Sequence, residues 1–320
     1  MAFDVKSASF LHSRRESVRY TKLVCFLLFC LQSAVSTAGY TEWIDFDSSY
    51  GLIRVPVQVE GIDTHAIFDT GATLNAISND FIERHQLDLT QRAVAELKGV
   101  FRSEEQALYD DVNINLLGFQ AEVDGVASMN LPDRSGGILI GAGFFQQFIV
   151  QIDYPNSRLR LISRDSLDLK ELQNIEMLPQ RDSGQPLVRI KLNDDRSAWM
   201  LLDTGSGGGV SVKRQLAETL GWLEQGKWVD KSSHGANSAG NIQISRLERF
   251  NFGPFELADV LVSVPAVGQT TLVGAHEPTE AGSRIRSQRI EGIIGYDVLK
   301  HFVLTIDYKY GHAHIGAPEA

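Results

Sequence analysis

Apolar and polar residues alternate from Leu52 to Val59, with Ile53, Val55, Val57 and Val59 on one face. The same period of two returns from Leu187 to Leu192. Such alternation marks a strand with one buried face, and a turn leading into a second apolar run marks a strand–turn–strand unit. Gly61-Ile62-Asp63 reads as the turn of the first unit and Asn193-Asp194-Asp195 as that of the second. Each unit then closes on a large apolar pair and the same tripeptide. Ile67-Phe68 precedes Asp69-Thr70-Gly71, and Leu201-Leu202 precedes Asp203-Thr204-Gly205.

The repetition continues downstream. Leu139-Ile140-Gly141 leads through Phe148 to Ile152-Asp153-Tyr154, and Ile293-Ile294-Gly295 leads through Phe302 to Ile306-Asp307-Tyr308, with identical spacing from Gly to Asp-Tyr. The pattern predicts two mostly β halves, each with one short helix, after Gly141 and after Gly295. Between them, Leu167-Asp168-Leu169-Lys170-Glu171-Leu172 predicts a short helix in a charged linker. The expected division is a leader at 1–38, a first lobe at 39–165, a linker at 166–183 and a second lobe at 184–320.

One Asp-Thr-Gly arises by chance about once in several thousand positions at average residue usage. Alone it is a turn with Asp capping the backbone. Two copies, both behind apolar pairs and inside a longer repeat, point to chemistry. Two carboxylates on matched turns share one proton, because two like charges so close do not both ionise easily. One ionised carboxylate takes a proton from water while the other, protonated, donates to an amide oxygen.

In these residues the chain resembles the retropepsin-like aspartic peptidases of bacterial type, as a single-chain tandem of two lobes. Ile67-Phe68-Asp69-Thr70-Gly71-Ala72 pairs with Leu139-Ile140-Gly141, and Leu201-Leu202-Asp203-Thr204-Gly205-Ser206 with Ile293-Ile294-Gly295. The resemblance implies an all-β fold of two aspartic-peptidase barrels and an aspartic endopeptidase, a hydrolase whose catalytic residues are Asp69 and Asp203. Supporting roles fall to Thr70, Gly71, Thr204, Gly205 and Ser206. The two threonines hydrogen-bond across the lobe interface, and the glycines turn the backbone tightly toward the substrate. The Ser206 hydroxyl, where the first lobe has Ala72, is placed to donate to Asp203 and leave it with more of the dyad's negative charge, or else faces away into its glycine-rich loop. No metal or cofactor is implied, and the partner is a polypeptide in extended conformation. With both motifs in one chain, the expected active form is a monomer. An alternative keeps the fold as an exported peptide-binding or scaffolding protein without turnover.

Arg14, Arg15, Arg19 and Lys22 precede the apolar run Leu23–Leu31, and small residues follow at Ser36-Thr37-Ala38. This reads as an export signal, shorter than the ~20 residues of a spanning helix. The expected location is the periplasm or cell exterior, with retention as an N-terminal inner-membrane anchor as the alternative. Cys25 and Cys30 both lie in that run, so a processed chain has no disulfide. The formal charge is −10 overall, and residues 1–38 carry +3, which leaves −13 after processing. So acidic a protein repels phosphate backbones, which argues against nucleic-acid partners.

Other residues read structurally. His312-Ala313-His314 falls where the first half has Arg158-Leu159-Arg160, which suggests an exposed hairpin strand and no metal site. Asp153 and Asp307 precede turns and are expected to hydrogen-bond them. Trp222 and Trp228 fit either core packing or a pocket wall.

Overall fold

Val55, Val57 and Val59 do point into the core, and their strand, Arg54–Val59, pairs antiparallel with Ile62–Phe68. The turn is Glu60-Gly61, one residue earlier than the pattern suggested. Both residues have positive φ, +50° and +75°, as a two-residue hairpin with the strands' own twist requires. Glu60 bears that conformation because Asn113 holds it: its N–H donates to Glu60 Oε1 at 2.7 Å, and its carbonyl accepts from the Glu60 N–H at 2.9 Å. In this computed structural model residues 39–131, 136–178, 185–192, 196–225, 227–234, 239–269 and 289–318 are described. The expected leader at 1–38, with Cys25 and Cys30, and the expected turn Asn193–Asp195 lie outside them, as does 179–183 of the expected linker.

Each half threads its chain the same way. Strand Ile138–Ile140 lies parallel to Ile62–Phe68 and antiparallel to Ala76–Ser78. Strand Ile290–Ile294 lies parallel to Ser197–Leu202 and antiparallel to Val210–Val212. The Asp-Thr-Gly loop is therefore pinched between two strands that only a long excursion of chain brings together. That excursion differs in length: Asp69 and Gly141 are 72 positions apart, Asp203 and Gly295 are 92 apart.

The halves join through their Asp-Tyr strands. Ile149–Asp153 runs antiparallel to Val303–Asp307, with Gln151 opposite Thr305 and Ile149 opposite Asp307. Because Gln151 and Thr305 hold the same place in the repeat, an approximate two-fold axis passes between them, and Gln151 Nε2 donates to Thr305 Oγ1 at 2.9 Å. Arg158–Ile162 and His312–Gly316 flank this pair. The result is a 13-stranded sheet that runs through the junction into the second half, plus a 9-stranded sheet in the first. One apolar core, from Phe46 to Ile315, fills both halves without a break.

The helices after Gly141 and Gly295 are present as Ala142–Phe145 and Tyr296–Leu299, and the linker helix as Leu169–Leu172. Each half adds more helix than the pattern marked: Asn79–His85 in the first, Arg214–Thr219 and Trp222–Gln225 in the second. Two turns or fewer are too short to display a 3.6-residue period. Asn79–His85 starts instead on a local cap, Ser78 Oγ accepting from the Phe81 N–H.

Asp153 and Asp307 hold their turns as expected. Asp153 accepts from the Asn156 side chain and Arg158 Nε, and Asp307 from the Lys309 and Tyr310 N–H groups. Asp307 also takes Arg164, whose guanidinium reaches across from the first half and caps the carbonyls of Gln146, Gln147 and Phe148. The His312 strand is not an exposed edge. It sits between Val303–Asp307 and Ile175–Leu178, with both histidines half-buried and His312 Nδ1 3.1 Å from Gln173 Oε1. Trp222 and Trp228 pack half-buried against the core, and Trp228 Nε1 donates to the Trp222 carbonyl. Among the described residues no helix is long and apolar enough to cross a membrane.

Candidate active site

Each Asp-Thr-Gly loop hangs from its pinching strand by one hydrogen bond. The Asp69 N–H donates to the Ile140 carbonyl and the Asp203 N–H to the Ile294 carbonyl, both at 3.0 Å. The preceding apolar pairs anchor the loops: Phe68 and Leu202 are about 1% exposed on the main core face, and Ile67 and Leu201 lie on the other.

The buried threonines then lock the loops to one another. The Thr70 N–H donates to Thr204 Oγ1 and the Thr204 N–H to Thr70 Oγ1, both at 3.1 Å. The Thr70 hydroxyl donates to the Leu202 carbonyl and the Thr204 hydroxyl to the Phe68 carbonyl, both at 2.6 Å. Four bonds thus cross the junction in a symmetric ring, every donor and acceptor satisfied within it, in a place where an unpaired group would cost about 1–3 kcal/mol.

This lock sets the carboxyl groups against the opposite glycines. A Cβ on Gly71 would lie 2.6 Å from the Asp203 carboxyl carbon, and one on Gly205 would lie 2.3 Å from that of Asp69. Neither glycine has the positive φ that makes glycine necessary in a tight turn. Their role differs from the expected one: they leave room for the other lobe's carboxylate.

Both carboxyl groups keep part of their surface open, yet the surrounding protein is dense enough to strip most of their hydration. That burial raises both above the usual carboxylate range. Asp203 is raised by burial first and then by the negative charge and hydrogen bond of Asp69. Asp69 Oδ1 accepts the backbone N–H groups of Gly71 at 2.8 Å and Ala72 at 3.1 Å, and these hold its pKa back. On the other side Gly205 N–H reaches Asp203 Oδ1 at 2.9 Å, while the Ser206 N–H closes on the main-chain carbonyl of Asp203 and assists the carboxylate least. Two backbone donors on the Asp69 carboxylate against one on that of Asp203 make Asp69 the better-supported anion of a pair that shares one proton. This reverses the expectation built on Ser206. Its hydroxyl makes no hydrogen bond to Asp203 among the described residues and lies toward Gly295, whose Cβ would stand 2.8 Å from it.

Three features of the site carried no motif in the sequence. Hairpin Thr90–Lys98/Ser103–Asp110 rises from the first lobe and Val229–His234/Ala239–Phe252 from the second. They meet where the ring of Phe101, in the first hairpin's turn, covers buried Gly240, whose Cβ would lie 2.5 Å from the ring. Their strands read only as weak alternation, and a contact between one hairpin's turn and the other's strand leaves no periodic trace. The third is Gln185, whose Nε2 crosses from the second lobe to the Gly71 carbonyl at 2.6 Å.

A family model described as aspartyl protease matches the chain twice, at residues 55–144 and 188–298, and each match holds one Asp-Thr-Gly and its partner glycine. No curated protein matches. Among solved structures, basic 7S globulin from soybean is similar at 12% identity over 87% of this chain and 94% of its own, with a TM-score of 0.43. A retropepsin-like aspartic protease from Rickettsia conorii is similar at 14% identity over 45% of this chain and 93% of its own, with a TM-score of 0.28.

Proposed function

We propose that this chain, which belongs to the aspartyl protease family, is an active endopeptidase that hydrolyses internal bonds of extended polypeptides. The observation that carries this reading is the unequal carboxyl pair. The threonine ring holds Asp69 and Asp203 face to face, the first better suited to be a base and the second an acid.

The cycle follows from that asymmetry. A water lying between the carboxyls gives a proton to Asp69 as its oxygen attacks the peptide carbonyl carbon. Asp203 gives its proton to the carbonyl oxygen, so a neutral gem-diol forms and the pair's single negative charge passes from Asp69 to Asp203. Asp69 then protonates the amide nitrogen, the C–N bond breaks, and Asp203 recovers a proton from the gem-diol hydroxyl. The products are a carboxylic acid and an amine, and the pair returns to its starting state. Both protons are held and returned by the two carboxyls, so the cycle closes without a cofactor.

One chain supplies both halves of the dyad, which favours a monomer as the active form. The basic–apolar leader favours an exported protein, periplasmic or extracellular. The test is cleavage of denatured casein across pH by the protein lacking residues 1–38, with and without pepstatin and a retropepsin-type inhibitor. Cleavage is expected for the wild type and absent for Asp69→Asn and Asp203→Asn, with melting temperatures showing all three folded. Equal turnover by either variant removes the dyad from the reaction, and none by the wild type at any pH overturns the reading in favour of a binding protein.

A further inference from the structure

Pairing across strands gives each lobe a row of side chains on the sheet face turned away from the main core. In the first lobe the row runs Leu108, Ala127, Ala76, Leu139, Ile67. In the second it runs Ile244, Ser263, Ser211, Ile293, Leu201. The hairpins extend the comparison: Leu97, opposite Glu104, corresponds to Ser233, opposite Gly240. At Ala76, Leu97 and Ala127 the first lobe is apolar, and at all three counterparts the second lobe has serine.

This face borders the dyad. In the first lobe Ala72, three residues after Asp69, packs on it together with Leu97 of the hairpin. The first lobe seals the face with its own side chains. Ala76 and Ala127 are 1% and 0% exposed beneath Leu97, Leu108 and Met129. The second lobe covers it less completely. Ser211, Ser233 and Ser263 are all half-buried, Phe101 of the first lobe lies over Gly240 opposite Ser233, and the Ser206–Gly209 stretch before Ser211 carries no large side chain.

We propose that this serine-bearing face is a subsite for an uncharged hydrogen-bonding side chain, such as Asn, Gln, Ser or Thr, on one side of the scissile bond. The first lobe offers an apolar surface to the residue on the other side. A hydroxyl both donates and accepts, so three of them satisfy a carboxamide or hydroxyl in either sense, where a leucine would leave them unpaired. The inference rests on the peptidase reading above for the identity of its ligand, a peptide.

Two matched pairs of fluorogenic octapeptides test it, with Asn or Leu at the residue before the scissile bond in one pair and after it in the other, and Leu at the remaining position. Wild-type protein is expected to prefer Asn about tenfold in kcat/KM in one pair only, the size of a good neutral hydrogen-bond set. In Ser211→Ala/Ser263→Ala, which installs the first lobe's residues, that ratio falls to about one. Ser263→Thr, which keeps the hydroxyl, retains a preference, and melting curves confirm that both variants fold. Leu preferred in both pairs, or an Asn preference untouched by the double substitution, overturns the proposal. Binding of the same peptides to Asp69→Asn, followed by fluorescence anisotropy, separates the two readings. An Asn preference in binding while the wild type cleaves nothing keeps the subsite and sinks the peptidase. Cleavage without the preference does the reverse, and binding of neither peptide sinks both.

Discussion

The two Asp-Thr-Gly loops are near copies that solve one problem differently. In the first lobe the Gly141 N–H, next to the dyad loop, donates to the side chain of Asn75 at 3.0 Å. In the second the Gly295 N–H donates to a backbone carbonyl, that of Gly209, at 2.9 Å. Strand pairing sets Leu139 opposite Ala76 but Ile293 opposite Ser211, so the second loop is one residue longer before its strand resumes. The extra residue and the glycine run let the main chain reach where the first lobe uses an asparagine. Gly209 also runs so close to the neighbouring strand that a Cβ on it would stand 2.2 Å from the Leu261 carbonyl. Gly209 is therefore tightly fitted, while Gly207 and Gly208 before it stay exposed. Equivalent geometry came from side-chain chemistry on one side and from close backbone approach on the other.

The largest effect should come from the positions where the lobes are most alike. Gly205→Ala and Gly71→Ala each drive a methyl group into the opposite carboxyl. Each is expected to lower kcat by about a hundredfold or more, since a displacement near 1 Å at the reacting groups has that cost. Gly205→Ala should be the worse, at 2.3 Å against 2.6 Å. Steady-state kinetics with the casein assay checks the order, and a loss confined to one variant breaks the symmetry.

Next comes the threonine ring. Thr70→Val and Thr204→Val each remove a donor and strand the opposite N–H, at about 2–4 kcal/mol by the cost of unpaired buried groups. The two should match within about 1 kcal/mol, and the double variant should lose less than their sum because both break one network. Urea denaturation measures all three, and strict additivity would contradict a closed ring.

Within the loops the comparison should invert. Gly209→Ala meets a backbone carbonyl that has no room to shift, and about 2–3 kcal/mol of destabilisation is expected. Asn75→Ala loses one hydrogen bond and should cost about 1 kcal/mol. Thermal melts that rank Asn75 above Gly209 would refute the account of the second loop.

The smallest effect concerns protons. Both dyad carboxyls have raised pKa values in the fold, so the folded state binds more protons than the unfolded state above the ordinary value of 3.8. Stability carried by the dyad is then present at low pH and is lost as pH rises through that window. Asp203→Asn removes the carboxyl with fewer backbone donors. It should melt above wild type at pH 7 by a few degrees, with the difference vanishing near pH 3.5, where both proteins hold an uncharged pair. Asp69→Asn should gain less, and the opposite order would return the charge to Asp203. In wild-type activity the acidic limb should lie above the usual aspartate range.

Much of the fold was legible because it is repeated. Two strand–turn–strand units, two Asp-Thr-Gly loops, two apolar-apolar-Gly segments and two Asp-Tyr strands each have a local period or a local composition, and a repeat shows every signal twice. The short helices at Asn79–His85 and Arg214–Thr219 left too little pattern, and the turn at Glu60 depends on Asn113, 53 residues away. The sequence by itself determined which groups face one another across the junction, because the doubled motif puts the same chemistry at equivalent places. Only the tertiary structure decided how that chemistry is poised. Whether Ser206 lends its hydroxyl or its N–H, which aspartate is the better-supported anion, why glycine follows each threonine, and that Phe101 closes on Gly240 all turn on separations of an ångström or less between residues far apart in the chain. Side-chain identity carries no information at that scale until packing has fixed where each backbone atom lies.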